Sequence, residues 1–97
     1  MASVWEEIAN VTNRTTQQVE QDALNAWIHH EVQEVDRGIL EYVRRYGVIR
    51  PDQLESAIRD GKVEGHPAWE DVIDWTNLLE YREKLLTIQT KNRTENL

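Results

Sequence analysis

Residues 28–46 read IHHEVQEVDRGILEYVRRY. Within them Ile28, Val32, Val35, Ile39, Tyr42 and Tyr46 recur at spacings of 4, 3, 4, 3 and 4. That is the apolar seam of a helix packed along its length against another helix. Leu24 extends the seam backwards, and Thr15 or Thr16 can cap its start. Gly47 stands where a helix C-cap is wanted, and Arg44 and Arg45 suit the negative end of the helix dipole. The spacing therefore predicts a long helix from about residue 17 to 46, roughly 45 Å at 1.5 Å per residue. Val19, Ala23 and Trp27 lie off the seam, so the N-terminal half of this helix packs against something else.

The flanks read as helices too. Ser3 and Glu6 have the form of a capping box, and Val4, Ile8 and Val11 fall on one face of a short helix over residues 3–12. The run NVTNRTT, residues 10–16, favours local side-chain hydrogen bonds and predicts a break. After Gly47, Pro51 can occupy a first helical position, Leu54, Ala57 and Ile58 give a second short amphipathic helix, and Gly61 ends it. Pro67 opens a last helix over about 67–90, with Glu70 and Asp71 favourable in its first turn. It bears two adjoining stripes, Trp69, Val72, Trp75, Leu79 and Leu86, then Leu78, Tyr81, Leu85 and Ile88. No stretch alternates as a strand does. The expected fold is an all-α small helical bundle, its long helix and C-terminal helix packed antiparallel, with two short helices. One domain spans residues 1–90, and a polar tail, 91–97, frays.

Composition narrows the function. The chain has 97 residues, a net charge of −7, 39% hydrophobic and 30% charged residues, and no cysteine. Disulfides, thiolate metal sites and thiol nucleophiles are excluded. No apolar run is long enough for a membrane span, and residues 1–11 lack the basic and apolar segments of a signal peptide. Cytoplasmic residence is the expectation. The negative charge is spread along the chain, which argues against nucleic acid, where binding rests on Lys and Arg. A helix-turn-helix over residues 42–58, with Arg44, Arg45, Arg50 and Arg59, is the one element with that outline. Its second helix is nearly balanced in charge, so its arginines are expected to pair with local acids.

Two groups of residues have the chemistry for a site. His30 and Glu34 share a helical face, and His66 is a possible third member; alone they are half a metal site. Glu31 and Glu34 lie three apart on the long helix, Asp71 and Asp74 three apart on the last one. If those helices pack antiparallel, four carboxylates can converge, and clustered carboxylates hold Mg²⁺ against phosphates. The arrangement resembles the all-α nucleoside triphosphate pyrophosphohydrolases, which carry E-x-x-E on one helix and E-x-x-D on a later one. That resemblance implies Mg²⁺ held by Glu31, Glu34, Asp71 and Asp74 and a nucleotide substrate, although the second motif here reads D-x-x-D. The competing reading makes all four acids tolerant surface positions with no cofactor. No serine nucleophile and no glycine-rich phosphate loop is present.

The stripes settle the leading expectation. A chain of 97 residues can hardly cover a 30-residue helix and a doubly striped 24-residue helix by itself, and uncovered stripes mark interfaces. The sequence therefore reads first as an acidic protein-interaction module and second as a Mg²⁺-dependent nucleotide hydrolase. The module would act as a homo-oligomer or as the regulatory, antitoxin-like partner of another protein.

Overall fold

The computed structural model describes residues 3–95. The last two residues of the expected polar tail, 96 and 97, lie outside the described residues. Four helices follow one another, α1 (Val4–Thr12), α2 (Thr16–Tyr46), α3 (Pro51–Arg59) and α4 (Gly65–Glu95), with no strand among the described residues. The fold is an all-α bundle, as the seam predicts.

Each boundary has a local cause. The Ser3 hydroxyl accepts from the Glu6 N–H at 3.2 Å. Asn13 ends α1 in the left-handed region, at φ 57°, a conformation that asparagine tolerates better than most residues. Thr15 and Gln18 then form a reciprocal capping box, each side chain accepting from the other's backbone N–H, at 3.1 and 3.0 Å. Gly47 closes α2 at φ 67°, and its N–H reaches the Val43 carbonyl at 2.9 Å. Gln53 accepts from the backbone N–H groups of Ile49 and Arg50, and this secures the start of α3. His66, held out of the helical region by the proline after it, leaves α4 regular only from Pro67.

α2 and α4 run antiparallel. Polar rungs mark the register from end to end: Tyr46 with Asp71, Tyr42 with Asp74, Asp36 with Arg82, Glu31 with Tyr81 and Gln21 with Asn92. Between the rungs lie two apolar clusters. Near the α2–α3 turn, Leu54, Ala68 and Trp75 are buried against Ile39, Val43, Ile58 and Val72, with α3 closing the side of the helix pair. Midway along, Ile28, Val35 and Leu85 are buried with Val32, Ile39 and Leu78 around them. Gly38 admits the close approach there, since a Cβ at that position would stand 3.1 Å from Leu78 Cδ1.

Beyond Ile28 and Leu85 the pair thins into an arm. α1 folds back on the off-seam side of α2, where Ala9 and Val19 are buried. The α4 end runs five residues past the boundary expected near 90. Asn92 is buried there and donates to Gln21 Oε1 at 2.6 Å, so a residue expected in a frayed tail takes part in packing. The molecule measures 63 × 22 × 20 Å with a radius of gyration of 19.7 Å, against about 12.5 Å for a compact chain of this length.

Val35→Asp places an unpaired charge in the middle cluster and is expected to cost several kcal/mol. Thermal unfolding followed by circular dichroism measures this, and an unchanged melting temperature would show that the cluster is not a core.

Candidate functional site

The four acids singled out in the sequence occupy separate places. Glu31 accepts from the Tyr81 hydroxyl at 3.0 Å. Glu34 pairs with Arg37 on its own helix at 3.0 Å and stays exposed. Asp71 accepts from Arg45 Nη1 at 2.9 Å and from the Tyr46 hydroxyl, and Asp74 accepts from the Tyr42 hydroxyl. At 1.5 Å per residue, the level of Tyr81 on α4 is about 10 Å from Asp74 and about 15 Å from Asp71. Antiparallel packing thus brings Asp71 and Asp74 beside tyrosines of α2 rather than beside Glu31 and Glu34. Among the described residues no group of three or more His, Asp or Glu side chains is placed to hold a metal ion.

The histidines are dispersed as well. His29 and His30 are exposed on α2. His66 sits at the start of α4, its Nδ1 3.1 Å from Glu70. A backbone hydrogen bond, and then His66, hold the Glu70 carboxyl below its ordinary range. Two arginines of the helix-turn-helix outline pair with local acids as expected, Arg50 with Asp52 and Arg59 with Glu55, whereas Arg45 reaches across to Asp71 of α4.

Asp71 differs from the tolerant surface acid expected of it. Its side chain is only 13% exposed. The seam assigned Tyr42 and Tyr46 to the core, and their rings do pack there, Tyr42 stacking on the fully buried Trp75 at 5.8 Å. Their hydroxyls reach the edge of the core and need acceptors, which the two aspartates supply. Arg45 lies 5.4 Å over the Tyr42 ring and also binds Asp71. Burial, then the hydrogen bond to Asp74, pushes the Tyr42 hydroxyl up to about 12. Burial and Asp71 raise Tyr46 in the same direction. These five residues form a latch between α2 and α4. One signal for it was available in the sequence: two tyrosines four apart on a core seam require polar partners.

A second feature was only half legible. Val4, Ile8 and Val11 share one face of α1, but α1 rests on α2 through Ala9. The apolar face therefore points outward, Val11 88% and Val4 66% exposed, with Trp27 of α2 at 53%. Leu24 and Ile88 line a shallow groove between α2 and α4 together with Lys91 and Asn92. The chain presents 7212 Å² of accessible surface, whereas a compact monomer of 11.4 kDa has about 5,800 Å². No helix of the described residues is long and apolar enough to cross a membrane.

A family model matches residues 1–89, a span that includes all of α1, α2 and α3 and most of α4. The chain belongs to the uncharacterized protein MJ0235 family. No curated protein and no solved structure is detectably similar to it.

Four outcomes are expected of the latch and the acids. The latch tyrosines are neutral donors whose folded-state pKa lies above the unfolded value near 10. Their contribution is complete below pH 10 and is lost as pH rises towards 12, because the unfolded state then holds fewer protons than the folded one. Denaturant unfolding across pH 8–12 should show that decline, and it should shrink in Tyr42→Phe. Asp71→Ala should cost about 1–2 kcal/mol, several degrees in melting temperature. Millimolar Mg²⁺ should leave the melting temperature unchanged, and Glu34→Ala should shift stability by less than about 0.5 kcal/mol. A reproducible rise with Mg²⁺ that disappears in Glu31→Ala would restore the metal site.

Proposed function

We propose that this chain is a small acidic protein-interaction module, working as a homo-oligomer or as the regulatory partner of another protein. The observation that carries this reading is the orientation of α1. A two-turn helix would ordinarily bury its apolar face and show its polar one. Here Ala9 makes the contact, Val4 and Val11 are left in solvent and Ile8 stays 39% exposed. Exposing them costs the monomer burial energy of about 25 cal/mol per Å², which a bound partner would recover. The surplus of roughly 1,400 Å² over a compact monomer supports the same reading. The cysteine-free, acidic composition fits a cytoplasmic setting.

The metal-dependent hydrolase reading gains nothing from the geometry, because the carboxylates it needs are spread along two helices and engaged with tyrosine and arginine donors. The interaction reading is tested by molar mass, measured on the purified chain and on the chain in extract of its own cells. Assembly in at least one setting is expected, and its loss in Val11→Asp with helicity retained. A chain that stays at 11.4 kDa in both settings would end the proposal.

A further inference from the structure

We infer that residues 86–95 of α4 form a strap that docks on α2 and undocks as one unit while the rest of the helix pair stays folded.

The seam between the long helices changes character at Leu85. Up to that point α4 buries Ala68, Trp75 and Leu85, all apolar. Past it, the one buried side chain among the described residues of α4 is Asn92. Leu86 is half-buried there and Ile88 is 51% exposed. The facing seam of α2 changes in step. Behind Ile28 come Asn25 and Gln21, at helical spacings of 3 and 4, and behind Leu85 come Gln89 and Asn92, at spacings of 4 and 3. All four are polar and half-buried or buried. Ile28 and Leu85 are thus the last closed apolar layer of the pair.

Such a layer holds the strap weakly. Asn92 Nδ2 donates to Gln21 Oε1 at 2.6 Å. On undocking, both groups exchange that bond for bonds to water, so it opposes opening by far less than its strength in isolation. Asn25 Oδ1 is buried with no donor among the described residues, and opening supplies it with water. Parting the helices at Trp75 would instead uncover fully buried Leu54 and Trp75, with the full loss of their apolar burial.

The local sequence turns weak docking into a collective step. Residues 78–86 read LLEYREKLL, mostly strong helix formers, whereas Thr87, Ile88, Thr90 and Asn92 are weaker ones. The Thr87 hydroxyl donates back to the Glu83 carbonyl at 2.9 Å, a contact that slightly destabilises a helix. Asn92 lies near the far end of the strap, so the end cannot unravel turn by turn while its bond to Gln21 holds. Once that bond parts, Thr90, Ile88 and Thr87 carry the unwinding back to Leu86. The groove lined by Leu24, Ile88, Lys91 and Asn92 exists only in the docked form. The arm therefore has a closed state that presents this groove and an open state in which α2 alone presents Leu24.

Native-state hydrogen exchange of the full chain, followed by NMR at urea concentrations below the unfolding transition, tests the strap. The amides of residues 88–93 should exchange about a hundredfold or more faster than those of Trp75 and Leu78, and should share one opening free energy. Their exchange should quicken with urea on a slope well below that of global unfolding, because opening exposes only part of the buried surface. Gln21→Leu combined with Asn92→Leu replaces both polar partners by apolar groups. It should slow exchange over 88–93 by about tenfold or more and leave Trp75 and Leu78 unchanged. Urea-independent exchange that quickens steadily towards residue 93 is simple end fraying and overturns the strap. A slope equal to the global one overturns it as well, as does a double variant whose 88–93 amides exchange at the same rate or faster.

Discussion

Two helices of 31 residues each lie side by side, and a chain of 97 residues has only two nine-residue helices left to cover them. Every other feature of the structure follows from that shortage. α3 is spent at one end, where it seals Leu54, Ala68 and Trp75 into the larger of the two apolar clusters. α1 is spent at the other, and it covers one ridge of α2 through Ala9 and Val19. What remains uncovered is apolar surface that a compact domain would have buried. The elongated shape and the surplus area are two measures of the same deficit.

Register along the helix pair comes from polar groups at its edges. Tyr46, Tyr42, Asp36 and Gln21 descend α2 while Asp71, Asp74, Arg82 and Asn92 ascend α4, and Glu31 reaches Tyr81 beside the Arg82 rung. Apolar contact is non-directional and would tolerate a slip of one turn. A slip would leave the two half-buried tyrosine hydroxyls without acceptors, and an unpaired buried donor costs more than a formed bond contributes. Asp71 and Asp74, which look like metal ligands in the sequence, are in the folded chain the acceptors for these donors. Their chemistry is carboxylate chemistry in either case; their neighbours decide its use.

The functional reading moves accordingly from the acids to the arm. A carboxylate site needs convergence, which the antiparallel register spreads over about 15 Å of helix. An interface needs only uncovered apolar surface, which Val4 and Val11 of α1 and Trp27 of α2 provide. The family match begins at residue 1 and so takes in α1; this helix belongs to the unit that defines the family.

The sequence by itself determined the elements. The 4-3-4-3-4 seam, Gly47 as the C-cap of α2, a threonine cap at its start and Pro67 in the opening turn of α4 are local patterns, and local sterics and hydrogen bonding are enough to read them. The seam and the length of its partner also made antiparallel packing legible, because a half-apolar helix of that length must lie along another. Which face of α1 would meet α2 was not legible, since its periodicity marks an apolar stripe without naming what covers it. Nor was the role of Asp71, which depends on Tyr46 and Arg45 arriving from 25 and 26 residues away. Asn92 reads as tail by its polar neighbours and is buried only because Gln21 lies across from it. Those outcomes belong to tertiary structure, because pairing between distant segments is set by the fit of whole surfaces and leaves no repeat in the chain.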